Sequence, residues 1–140
     1  MAKYPDCIFC KIISGEIPVR FIAENDTCVA MLDAFPATKG HALILTKEHR
    51  RDLLEMTTEE LADCSKLMSK VASAAKNAFG CDGINFINNL GVAAGQRVMH
   101  SHFHVIPRYE NDGVSMEFKQ VEMSGAEKDE IIHKIMNNLG

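Results

Sequence analysis

Residues 100–108 read His-Ser-His-Phe-His-Val-Ile-Pro-Arg, with an imidazole at every second position of its first half. Alternation of this period marks a β-strand, whose successive side chains point to opposite faces. His100, His102 and His104 then share one face, spaced roughly 6.5–7 Å apart with the outer two about 13 Å apart. Ser101, Phe103 and Val105 take the other face. Two chemistries suit such a row. One is metal binding, where His-x-His on a strand supplies two ligands of a three-histidine zinc site. The other is nucleophilic catalysis on phosphorus, in which a neutral imidazole attacks and is afterwards released. An unperturbed pKa of ~6.5 leaves much of the imidazole neutral at neutral pH. The surroundings favour the second. Gly95 and Gln96 can aim an amide and backbone N–H groups at a phosphate without adding negative charge, and Asn89 is similarly placed. No carboxylate lies on the strand of the kind a facial-triad iron site uses. The bland alternative is a row of solvent-facing histidines on an edge strand.

Several elements must position that strand. Asp6 can cap a short helix starting at Cys7 and ending at Gly15. Segments 20–24 and 27–33 flank Asn25-Asp26, a tight hairpin turn. Residues 41–46 form a short apolar strand, and 84–89 another. Thr58 can cap a long helix reaching Phe79, where Gly80 ends it. Its stripe of Leu61, Cys64, Leu67, Met68, Val71, Ala75 and Ala78 has helical spacing and reads as core. Ser124 with Glu127 forms a capping box for a last helix carrying Ile131, Ile132, Ile135, Met136 and Leu139. Sequential hairpins and one long helix predict a single α+β domain, 1–140, on an antiparallel sheet.

Composition narrows the function classes. A chain of 140 residues with 46% apolar content is an ordinary globular protein that can bury a core without disulfides. A net charge of −4 and a pI near 5.8 give no basic field for nucleic acid. No apolar run approaches the roughly 20 residues of a membrane span, and residues 1–6 lack the apolar core of a signal peptide. Five cysteines, an odd number, fit reduced thiols in a cytoplasm. Cys28, Cys64 and Cys81 read as buried small hydrophobes, and His133 as a surface residue. Cys7-Ile8-Phe9-Cys10 is one CxxC pair on the first turn of a helix, which favours thiolates. Alone it fits a metal site, a redox pair or two inert thiols; a thioredoxin-like role would want a preceding strand, which is missing.

Gly95-Gln96-x-Val98-x-His100-x-His102-x-His104, followed by Ile106-Pro107-Arg108, resembles the histidine-triad (HIT) signature. Ile8-Phe9-x-Lys11-Ile12-Ile13, Glu16-Ile17-Pro18, Leu32-Asp33-x-x-Pro36 and Gly40-His41-x-Leu43-Ile44 match the family's N-terminal half in order and spacing. The resemblance covers residues 7–108 and is nearest to the Hint-like, bacterial-type branch of small nucleotide hydrolases. It implies a HIT-like fold: an antiparallel sheet of about five strands, one long helix, a short N-terminal helix and a C-terminal helix outside the shared pattern. It implies that His102 attacks the α-phosphorus of a purine nucleoside phosphoramidate or related conjugate, giving a nucleotidyl-histidine that water cleaves. His104 and Gln96, with Gly95 beside them, would hold the phosphate and leaving group. His41 and Asn89 would line the site, Asp33 would accept the ribose hydroxyls, and Ile8, Phe9, Ile12, Leu32 and Leu43 would form a purine slot. Arg97 departs from the serine common at its position, which leaves open the leaving group. Zinc-bearing relatives place ligands at positions matching Cys7, Cys10, His49 and His100, implying a closed structural zinc site and no catalytic metal. A homodimer joined through the long helix and strand 84–89 is implied as well. Other readings are a dinucleoside polyphosphate hydrolase, a nucleotide-binding scaffold with residual hydrolysis, and a zinc hydrolase using the three histidines directly. Transfer of the nucleotidyl group to a sugar phosphate would want a second domain.

Overall fold

A hydroxyl followed three residues later by a carboxylate can satisfy two of the free N–H groups that begin a helix. In the computed structural model, which describes residues 2–140, that pair is Thr57 and Glu60. Thr57 Oγ1 accepts from Glu60 N at 3.1 Å, and Glu60 Oε1 accepts from Thr57 N at 2.8 Å. The cap of helix α2 (Thr58–Phe79) is therefore Thr57 and not Thr58, because only Thr57 has an acidic residue three positions on. Gly80 closes the helix at φ 62°, in the left-handed region that a side chain disfavours. Helix α1 (Ile8–Ile13) is capped by Cys7, whose Sγ accepts from Cys10 N at 3.3 Å, and not by Asp6.

Strands β1 (Ala23–Glu24), β2 (Cys28–Leu32), β3 (Ala42–Thr46), β4 (Gly83–Asn88) and β5 (His102–Arg108) form one antiparallel sheet in the order β1-β2-β3-β5-β4. The α+β expectation and the five strands hold, with β4 shifted by one residue and the other strands shorter than the sequence pattern predicts. The histidine strand begins at His102, because Ser101 N donates to the Arg50 carbonyl at 2.6 Å outside the ladder.

Each face of the sheet has its own cover. Cys28, Ala30, Ala42, Ile44 and Val105 pack against Cys64, Leu67, Val71 and Ala72 of α2. Val29, Met31, Leu43 and Leu45 pack against Phe9 and Ile12 of α1. Residues opposite one another on an antiparallel ladder share a face. Leu43 pairs with His104 and Leu45 with His102, so both imidazoles lie on the α1 side. Cys28 and Cys64 correct the expectation of separate buried thiols: they are joined as a disulfide between β2 and α2, with Cα atoms 5.9 Å apart. Cys7, Cys10 and Cys81 are free thiols.

Helix α3 (Gly125–Met136) starts at the expected Ser124–Glu127 capping box. Residues 117–140 are exposed throughout, so its apolar side chains add nothing to either core. No helix of the described residues is long and apolar enough to cross a membrane.

Candidate active site and metal centre

β5 carries His102 under the edge of the Phe9 ring, 5.1 Å between centroids. The side chain is buried, and burial lowers its pKa against the opposing pull of the His100 carbonyl and Asp33. A carbonyl can only accept, so the 2.7 Å contact between His102 Nδ1 and His100 O fixes the proton on Nδ1. Nε2 is left with a free lone pair, the form a nucleophile needs. Asn88 Nδ2 donates to the His102 carbonyl at 2.9 Å and pins the backbone from β4.

A second proton assignment follows from a backbone amide. Ala37 N donates to His41 Nδ1 at 2.9 Å, so the His41 proton sits on Nε2. That nitrogen is 2.9 Å from His104 Nδ1 and donates to it, which places the His104 proton on its own Nε2. Burial lowers the pKa of His41, and burial, helped by His102 and His41, lowers that of His104 to about 4. Both rings are neutral at neutral pH. The two rings of β5 lie 5.3 Å apart, a bare nitrogen on one beside an N–H on the other. Neither Nε2 has a protein hydrogen bond among the described residues, and neither is sealed from solvent. Such a pair can attack phosphorus with one ring and steady a phosphoryl oxygen with the other.

Asp33, just past β2, brings Oδ2 to 3.4 Å from His41 Nε2 and 3.9 Å from His104 Nδ1. Its Oδ1 accepts from Phe35 N at 2.8 Å, so the carboxylate is also the turn acceptor that the sequence allows. Asp33, His41 and His104 are near enough to present ligand atoms to one ion. The proton fixed on His41 Nε2 argues against that use.

Other expected residues are placed differently. Gln96 is buried with its amide fully engaged: Oε1 accepts from Gly91 N, and Nε2 donates to the carbonyls of Arg51 and Val98. Its side chain is a loop clamp and has no free N–H for a phosphate. Gly95 is held at φ 104°, with Asn89 Nδ2 lying 3.6 Å from where a Cβ would sit. Leu32 pairs with Ala42 on the α2 side of the sheet, away from the imidazoles. Strand parity puts Met31 on the histidine side, a residue that counting back two from Asp33 would have found. Phe9 and Leu43 are buried in the core, whereas Ile8 is half exposed. Asn88, which sequence reasoning missed, carries no local signal beyond its neighbour Asn89.

His100 does not join the His102–His104 pair. Its Nε2 donates to the Thr46 carbonyl at 2.7 Å, leaving Nδ1 bare. Nδ1 is 3.4 Å from Cys7 Sγ and 3.5 Å from Cys10 Sγ, while Cys10 Sγ is 3.3 Å from His49 Nδ1. A tetrahedral ion with bonds of about 2.3 Å to sulfur and about 2.05 Å to nitrogen separates those atoms by about 3.5 Å. The four residues therefore form a cluster that fits a metal ion. The His100–Thr46 bond is the outer contact that orients a ligating imidazole. Burial and the adjoining Cys7 push the Cys10 thiol up to about 12, so Cys10 ionises here only with a cation beside it. With His100 in this cluster and His104 in the other, a single ion held by all three strand histidines does not fit.

The HIT domain family model matches residues 14–111. An uncharacterized HIT-like protein of Methanocaldococcus jannaschii is 43% identical over 92% of this chain and 98% of its own length. The adenosine 5'-monophosphoramidase of Schizosaccharomyces pombe is 43% identical over 73% of this chain and 74% of its own. A HIT family protein from Bacillus anthracis superposes with a TM-score of 0.90 at 38% identity, covering 100% of both chains. A zinc-bound histidine triad family protein from Mycobacterium smegmatis superposes with a TM-score of 0.75 at 33% identity, covering 95% of this chain and 97% of that one.

Proposed function

The chain belongs to the HIT domain family, and we propose that within it this protein hydrolyses purine nucleoside phosphoramidates or similar conjugates through His102. The observation that carries the reading is the fixed proton pattern: Nδ1–H of His102 bound to a carbonyl and His104 turned to present Nε2–H. The His102 Nε2 lone pair bonds to the α-phosphorus while the bond to the leaving nitrogen breaks. That nitrogen departs with the electron pair and takes a proton from solvent. The positive charge of the phosphorylated ring is stabilised by the Nδ1–H···O=C contact. His104 Nε2–H donates to a phosphoryl oxygen as charge builds on it. Water then adds to phosphorus, its proton goes to solvent, and His102 leaves with its lone pair restored. Asp33 accepts the ribose hydroxyls with its remaining lone pairs, Asn89 lines the phosphate side, and Ile8, exposed beside buried Phe9 and Met31, offers the base an apolar contact.

Zinc in the Cys7, Cys10, His49 and His100 cluster would be structural, since all four positions are protein ligands and none is left for water. It would tie α1 to the segment after β3 and to the turn entering β5. The chain as a homodimer would use the free edge of β4, with Phe86 half exposed, and α2. The test is turnover of adenosine phosphoramidate beside a diadenosine polyphosphate. His102→Ala should abolish turnover while nucleotide binding and metal content persist. Undiminished turnover in that variant would refute the proposal.

A further inference from the structure

Ile131, Ile132, Ile135, Met136 and Leu139 of α3 fall at helical spacing and so gather on one face of the helix. All five are exposed, as are Phe118 and Val121 on the run that leads to the helix. An apolar face of this extent left open to water marks an interaction surface. The arm formed by residues 117–140 is nevertheless set in one pose. It makes up about a sixth of the chain, so the TM-score of 0.90 with the Bacillus anthracis protein, over all of both chains, is out of reach unless the arm superposes as well. The same pose in two proteins, with the arm exposed throughout on its own chain, calls for a cover from outside that chain. Three lysines against five acidic residues give the arm a net negative charge, the wrong sign for an anionic membrane.

The arm departs from the open edge of the sheet. Arg108 ends β5, and its guanidinium donates to Asn85 Oδ1 on β4 at 2.9 Å and to the Val114 carbonyl at 2.7 Å. Phe86 pairs with Val105 on the α2 side, so its neighbour Asn85 lies on the histidine face, and the arm starts on that face. A two-fold axis joining two β4 edges runs them antiparallel, which sets the Gly83 end of one beside the Asn88 end of the other. Beyond Asn88 comes the segment 89–99, where Leu90 and Val92 are exposed and Arg97 is the sole charged residue. The nine residues between Val114 and Ser124 reach up to about 30 Å, against the roughly 17 Å length of the six-residue β4. We propose that the C-terminal arm of each chain crosses to a second copy and lays its apolar face on that copy's segment 89–99. Leu90 and Val92 supply the apolar contact, and the acidic arm meets the positive charge of Arg97. The inference rests on the homodimer reading and adds a reciprocal exchange of arms to it.

Two measurements on the full-length chain test this. Sedimentation equilibrium compares the wild-type protein with the double variant Ile132→Asp, Ile135→Asp, whose dimer dissociation constant should rise at least tenfold. If the double variant does not fold, a chain ended after Met116, which loses only exposed residues, makes the same comparison. In the second measurement a benzophenone side chain at position 132 is photolysed in an equal mixture of ¹⁴N- and ¹⁵N-labelled protein. Cross-links should join chains of different label and map to residues 89–99. A dissociation constant within twofold of wild type overturns the exchange of arms and leaves the homodimer standing on its β4 edges. Cross-links confined to one label, or mapping between labels to another segment, overturn it likewise. A wild-type protein that stays monomeric removes the homodimer reading and the exchange together.

Discussion

His41 is the residue whose removal tests the proton pattern of the site. His41→Phe keeps a buried ring and deletes both nitrogens. Two things are lost: the acceptor for Ala37 N and the Nε2–H that donates to His104 Nδ1. The nearest remaining group to His104 Nδ1 is Asp33 Oδ2 at 3.9 Å, which can only accept. His104 should therefore turn over its tautomer, placing the proton on Nδ1 towards Asp33 and leaving Nε2 bare. The transition state then loses one N–H donor, a change worth about 10²–10³ in rate where such donors have been removed. Ala37 is exposed, so its freed N–H can turn to water, and the stability cost stays below the about 1–3 kcal/mol of a buried unpaired donor. The assay is kcat/KM on adenosine phosphoramidate together with ¹⁵N chemical shifts of the His104 ring. A loss under about threefold with the Nε2–H tautomer intact would refute the reasoning.

Cys10→Ser should strip bound zinc, measured by elemental analysis. It should weaken metal affinity by more than the about 10–100-fold that losing an outer partner costs, while His102→Ala keeps the metal. Acid should act first on stability. His104 is held near a pKa of about 4 in the fold and returns to ~6.5 when unfolded. The unfolded chain thus binds more protons between those values, so the stabilisation is complete above pH 6.5 and is lost as pH falls towards 4. At about 1.4 kcal/mol per pH unit this reaches roughly 3 kcal/mol for that ring, readable from urea midpoints across the window. The acid limb of kcat/KM should also lie below pH 6.5, since burial lowers the pKa of His102, His41 and His104 from the free-imidazole value. Thr57→Ala should cost about 1 kcal/mol of stability by removing the α2 cap, whereas Thr58→Ala should cost much less.

Periodicity and turn chemistry revealed most of the frame. The 3.6-residue stripe from Leu61 to Ala75 located α2, although Ala78, expected in the same stripe, is exposed, and the alternation of His102 and His104 with Phe103 and Val105 located the strand and its faces. What failed was what depends on long-range geometry. Leu32 looks as apolar as Met31, and only ladder parity decides which faces the histidines. His100 continues the alternation in sequence, but the Ser101–Arg50 bond takes it out of the ladder and turns it to the cysteines. Gln96 reads as a phosphate ligand until its amide is seen committed to the carbonyls of Arg51 and Val98. The Cys28–Cys64 pairing and the reach of Asn88 to the His102 carbonyl join residues distant in sequence, and no local signal marks them.

Rapid quenching of the wild-type protein with adenosine phosphoramidate, followed by intact mass and peptide mapping, tests the attacking nitrogen most directly. A transient adenylyl adduct mapping to His102, acid-labile and absent from His102→Ala, is the expected result. Turnover with no adduct at any time, or an adduct mapped to His104 or to a cysteine, would contradict it.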